Sequence, residues 1–198
     1  MGKASEAPID ALHPTQLTVG RIEVADKVGQ LKALKVDARA DFLRSHAMPA
    51  VLGPHGRIFI TDHHHLARAA WEAGVSVGYL DFQDDLSKLT LEAFWSEMDR
   101  NAWVHPLDEN GVRHYYSSIP SHLRDLTDDP YRSLAAYVRN AGGYDKTPAA
   151  FAEFVWADFF RRSVPIELVR EDFHAAVRMA VPLAHGHHAK RLPGYREH

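Results

Sequence analysis

Over the first 85 residues, short apolar runs of strand length alternate with segments whose apolar residues recur at helical spacing. QLTVGRIEV (16–24) is rich in β-branched residues and predicts a strand or extended entry. In ADKVGQLKALK, Val28, Leu31 and Leu34 share one helical face, and DARADFLRSH opens on Asp37, a capping residue type. Ala50–Leu52 and Ile58–Ile60 flank Gly53-Pro54-His55-Gly56, which predicts a β-hairpin. A helix from His63 to Gly74 follows, with Leu66, Ala70 and Ala73 as its buried stripe, and VSVGYLDF (75–82) predicts a further strand.

Beyond Asp84 the pattern becomes almost wholly helical. LSKLTLEAFWSEMD, SSIPSHLRDL, DPYRSLAAYVRNAGG, TPAAFAEFVWADFFRRS and IELVREDFHAAVRMAVPLAHGHHAKRL are separated by Pro, Gly and Asp breaks. Thr147-Pro148 marks a helix start with Pro at the first helical position. The segment 151–160 is apolar on nearly every side and predicts a buried helix, so Glu153, Asp158 and Arg161 must pair or line a cleft. Arg132 and Arg139 fall on one face of the helix before it. These patterns predict an α+β fold: a small α/β module over 10–85, then a helical module over 86–192. No flexible linker divides the two, so they are expected to share a core.

Composition narrows the function classes. The 198 residues are 45% hydrophobic and 25% charged, as in ordinary globular chains. No apolar run approaches the length of about eighteen residues that a membrane helix needs. MGKASEAPIDALHP lacks the apolar core of a signal peptide, so a soluble, cytoplasmic protein is expected; a leader trimmed earlier would leave the same sequence. There is no cysteine, which excludes disulfides and thiolate zinc sites. A net charge of −3 offers no basic field and disfavours nucleic acid as a partner. Fourteen histidines are the unusual feature: protonating half of them reverses the sign of the net charge, so anion binding should grow as pH falls through about 6.5.

Three of these histidines, His63, His64 and His65, follow Asp62 where the hairpin's second strand runs into a helix. First-turn amides have no intrahelical partner and carry the positive end of the helix dipole, so the junction is a candidate anion site. His64 and Arg68 stand at i, i+4 and could face one phosphate. A metal site is a weaker reading, because successive helical residues point about 100° apart and positions 67–69 supply no second ligand. Capping by Asp62 with solvated histidines is the third reading. Glu23 and Lys27, four residues apart, read either as a solvated ion pair or as a general base and a phosphate contact.

The order of elements resembles the ParB/sulfiredoxin superfamily, which implies a small mixed sheet with helices over the first module, and within it the family called Putative ParB-like nuclease. LHPTQLTVGRIEVADK, PAVLGPHGRIFITD, DHHHLARA, DPYRSLAAYVRNAGGY, FAEFVWADFFR and AKRLPGY carry the resemblance over most of the chain. The superfamily includes chromosome-segregation proteins that bind CTP, sulfiredoxin, and kinases of free serine, all placing nucleotide phosphates at this strand-to-helix junction. Segregation proteins read G-E-R-R where this chain has His63-His64-His65-Leu66, and sulfiredoxin needs a cysteine that is absent here. The serine kinases come nearer, with D-G-H-H-R against Asp62 to Leu66; Arg68 could replace their arginine from the next turn. Their catalytic Glu aligns with Thr15, which leaves Glu23 as the nearest base.

The expectation is therefore a protein binding a nucleotide (ATP, ADP or CTP) or another phosphorylated small molecule, with phosphoryl transfer or nucleotide hydrolysis as its chemistry. Glu23, Asp62 and His64 are the catalytic candidates; Lys27, His63, His65 and Arg68 are the phosphate contacts. Mg²⁺ would arrive with the nucleotide, with no built-in metal. A metal-dependent nuclease and a non-catalytic binding protein are the alternatives.

Overall fold

A computed structural model describes residues 4–197. The fold is mixed α+β. Strands β1 (Ser5–Pro8), β2 (Leu12–His13), β3 (Thr18–Val19), β4 (Met48–Leu52), β5 (Ile58–Ile60) and β6 (Val77–Asp85) accompany helices α1 (Arg21–Ala33), α2 (Val36–Ser45), α3 (His64–Glu72) and α4 (Leu91–Arg100). Helices α5 (Pro130–Asn140), α6 (Ala152–Arg161), α7 (Ile166–Glu171) and α8 (Phe173–Ala184) complete the chain.

The chain groups into two compact units, residues 1–19 with 24–127, and residues 20–23 with 128–198. Helix α4 and the irregular 101–127 stretch bury Phe94, Met98, Val104 and Ile119 with Val51 and Phe59 of the hairpin.

In the first unit the five-stranded sheet runs in the order β1-β6-β4-β5-β2. The expected hairpin is present: β4 and β5 pair antiparallel with Ala50 opposite Ile60 and Leu52 opposite Ile58. A one-turn 3-10 helix at Pro54–Gly56 closes it, and Gly53 N–H donates to Arg57 O at 2.8 Å. Strand β6 pairs parallel with β4 and antiparallel with β1. Ile9, Leu12, Leu31, Leu43, Met48, Ile60, Ala67, Ala70 and Leu80 form the buried core around it.

The second unit packs α5 against α6 and α8 around Leu134, Val138, Tyr144, Trp156, Phe160 and Ala180. Trp156 is fully buried, stacks on Tyr144 at 4.2 Å, and donates its indole N–H to Pro193 O at 2.7 Å. Asp129 caps α5, accepting from Tyr131 and Arg132 N–H, and pairs with Arg161 at 2.7 Å.

Several element expectations need correction. Only Thr18–Val19 of the 16–24 run is extended; the chain enters α1 at Arg21, directly after Gly20. There a Cβ at Gly20 would lie 2.4 Å from Ser133 Oγ, so this position admits no side chain. Helix α2 starts at Val36, which leaves Asp37 in its first turn. Thr147-Pro148 does not open α6, which begins at Ala152 after Phe151 takes a left-handed turn at φ 57°. The 117–126 segment forms short 3-10 turns, and the 166–192 run breaks at Asp172, which caps α8.

Candidate functional site

The junction forms as β5 gives way to α3. Asp62 is exposed and its Oδ1 accepts the His63 N–H at 2.6 Å. The N-cap is His63, held in the left-handed region at φ 62°, ψ 25°. Asp62 was expected at or near that position; it sits one residue earlier because the left-handed turn occurs at His63. The His63 ring contacts His46 O at 3.3 Å.

His64 turns inward and is 4% exposed. Thr15 N–H donates to its Nε2 at 3.0 Å, and Thr15 Oγ donates to Ile60 O at 2.9 Å. A backbone N–H can only donate, so Nε2 is the acceptor and the ring proton sits on Nδ1. Burial pushes the imidazole pKa down to about 3, against the opposing pull of Asp62, and neighbouring His65, His63 and His105 lower it further. His64 is thus a neutral positioning group at neutral pH, tying β5 and α3 to the Thr15 segment. His105 joins the same frame, its N–H donating to Thr15 O at 2.8 Å.

Arg68 is also buried. Its Nη1 donates to the carbonyls of Leu123 at 2.9 Å, Arg124 at 2.7 Å and Leu126 at 3.2 Å, while Nε pairs with Glu72 at 2.6 Å. These partners clamp α3 to the 123–126 turn. His65 is buried in the first turn of α3.

The structure therefore gathers Asp62, His63, His64, His65 and Arg68 at one helix start, with only Asp62 and His63 reaching the surface appreciably. Lys27 is half-buried on α1. Glu23 belongs to the second unit, where it lies 3.3 Å from Arg132; Glu153 pairs with Arg139 and stands 3.9 Å from Arg132. Two carboxylates neutralise two guanidiniums there, which meets the requirement that the charges of α5 and α6 pair. Among the described residues, no three His, Asp or Glu side chains group as ligands for a metal ion. Thr15 and His105 were not among the candidate residues. Their contribution passes through main-chain groups, although the kinase resemblance had singled out position 15.

The family described as Putative ParB-like nuclease matches residues 5–162, and the chain belongs to it. The crystal structure of protein Atu1540 from Agrobacterium tumefaciens is similar over 100% of both chains, with 37% identity and a TM-score of 0.92. A C-terminally truncated chromosome-partitioning protein ParB from Caulobacter crescentus, complexed with CTP-γ-S, is a remote likeness at 13% identity and TM-score 0.34 over 95% of each chain. None of the curated proteins matches. No helix among the described residues is long and apolar enough to cross a membrane.

Proposed function

We propose that the first turn of α3 binds the phosphate of a nucleotide or of another phosphorylated small molecule, and that phosphoryl transfer or nucleotide hydrolysis is the chemistry it serves. One observation carries the reading: the Thr15–His64 bond pins the start of a nine-residue helix rigidly beneath an exposed Asp62 and a half-buried His63. A helix start held in place before the ligand arrives needs no reorganisation to meet negative charge. His64 stays neutral and His65 is buried, so the attraction comes from the first-turn amides together with His63.

Asp62 supplies the carboxylate. Its Oδ1 is occupied by the His63 N–H, which leaves Oδ2 for a water, a hydroxyl or Mg²⁺. A single carboxylate plus substrate phosphates and water suits Mg²⁺, which would neutralise phosphate charge when bound. Arg68 and His64 act here as positioning residues.

The test is thermal unfolding of the full chain with ATP, ADP or CTP plus Mg²⁺, with the matching nucleosides as controls. A ligand at one hundred times its Kd should stabilise by about 2.7 kcal/mol. That gain should shrink in Asp62→Asn and His63→Ala. Absence of a shift with every nucleotide and phosphometabolite removes the proposal. A second reading, metal-dependent nuclease, rests on the family's description alone. Nicking of supercoiled plasmid in divalent cation, without any nucleotide-induced shift, would favour it.

A further inference from the structure

A cleft lies away from the histidine junction. It encloses about 280 Å³ between α2 and the turn that leads from α3 into β6. Arg39, Ala40 and Leu43 form one wall; Val75, Val77 and Tyr79 form the other. Val36, also in the lining, is 77% exposed, so the mouth of the cleft is apolar. Tyr79 is fixed from outside by Arg44, which donates to its hydroxyl at 3.1 Å and lies over its ring at 4.7 Å.

The informative residue is Arg39. Its Nη2 donates to Leu34 O at 3.1 Å, and no carboxylate pairs with it among the described residues. Its Nε is shut off from solvent and has no hydrogen-bond partner. Arg44, on the same helix, has its own acid in Asp41 at 2.7 Å. A guanidinium carries five donors in a planar fork; here one is met by Leu34 O, and no carboxylate among the described residues balances the charge beside the cleft. The cleft lining contains no acid that would cancel the charge.

We propose that this cleft binds a small amphipathic carboxylate, its apolar body lying between Leu43, Val75 and Val77 and its carboxylate on the Arg39 fork. Largely apolar walls with a few polar groups, here Arg39, Ser76 and Tyr79, are the usual form of a small-molecule site, and the volume is near the lower end of about 300 Å³ for such sites. A carboxylate accepts two parallel hydrogen bonds from the donor fork of one arginine. A cation meets unopposed positive charge, and an uncharged ligand leaves the fork unmet.

The experiment titrates the full chain with the fluorescent apolar anion 8-anilinonaphthalene-1-sulfonate, then displaces the probe with octanoate, octylamine or octanol. Octanoate should displace it and octylamine should not. Arg39→Gln should weaken octanoate about tenfold or more. Ala40→Trp, which fills the cleft and leaves the charge, should abolish its binding. Thermal unfolding checks that the variants fold; if Arg39→Gln does not, Arg39→Lys, which keeps charge without the fork, should show the same weakening. Equal displacement by octylamine or octanol overturns the proposal, as does an unchanged octanoate affinity in the folded Arg39 variant. Sedimentation showing self-association that Ala40→Trp abolishes, without octanoate binding, would make this face an interface between copies and overturn it too.

Discussion

Lowering the pH from 7 to 5 should destabilise this protein through His64 alone by about 2 kcal/mol. The imidazole is 4% exposed, and burial lowers its pKa to about 3, whereas an unfolded histidine titrates near 6.5. Between those values the unfolded state binds the proton and the folded state does not, so stability rises with pH across that window. At pH 5 the unfolded side has gained about 1.5 pH units of binding, each worth about 1.36 kcal/mol, and the folded side almost none. The loss is complete only near pH 3; above about 6.5 it vanishes. The hydrogen bond explains why the protein resists protonation locally: a proton on Nε2 would face the Thr15 N–H, donor against donor. The measurement is urea unfolding at pH 7, 6 and 5 for the wild type and His64→Gln, whose side-chain oxygen can still accept from Thr15. His13, whose pKa burial also lowers, contributes to both slopes and cancels in the difference. Parallel pH dependences in the two proteins would refute the reasoning, because the buried neutral imidazole would then not be the titrating group.

Two further outcomes test the rest of the junction. Arg68→Met should cost about 3–5 kcal/mol by chemical denaturation, since it removes a buried charge-assisted donor and strands Glu72 and three carbonyls; a loss below about 1 kcal/mol would show that the clamp is dispensable. His63→Gly should be more stable than His63→Ala by about 1 kcal/mol, because φ 62° strains any residue with a Cβ. In a helix interior the order reverses, so an alanine variant that matches or exceeds the glycine one would contradict the observed backbone.

How far the fold was legible depended on whether its cause was local. The hairpin, the helix from the histidines and the inner face of α6 were readable because turn residues and apolar spacing lie within one short stretch; burial of α6 on nearly every side was not, since only Ala152, Trp156, Ala157 and Phe160 are buried and Val155 is 39% exposed. Strand β1 was not: SEAP has no apolar alternation, and only its pairing with Val77–Leu80 of β6 makes it a strand. The start of α6 misled for a similar reason. Thr147 Oγ accepts from Ala149 N–H at 3.3 Å as a cap would, but the chain takes a further left-handed turn at Phe151 before the helix begins.

At the site, residue types were informative and side-chain directions were not. The expected stripe of Leu66, Ala70 and Ala73 supposes one buried face, yet every residue from His64 to Ala70 is buried. Alanines at 67, 69 and 70 let neighbouring chain approach α3 closely, and the 123–126 turn covers the face where Arg68 stands. Its acceptors are main-chain carbonyls some fifty-five residues away, and the partner of His64 is a main-chain N–H forty-nine residues away. Main-chain groups are the same whatever residue carries them, so neither bond leaves a trace in the sequence. The consequence is chemical. A reader of the sequence places His64⁺ and Arg68⁺ in front of a phosphate, whereas the folded chain spends both on holding the helix start still. On the proposed reading, recognition at this junction would rest on oriented amides with His63, a weaker but more rigid source of positive potential, and Asp62 is the exposed acid beside it.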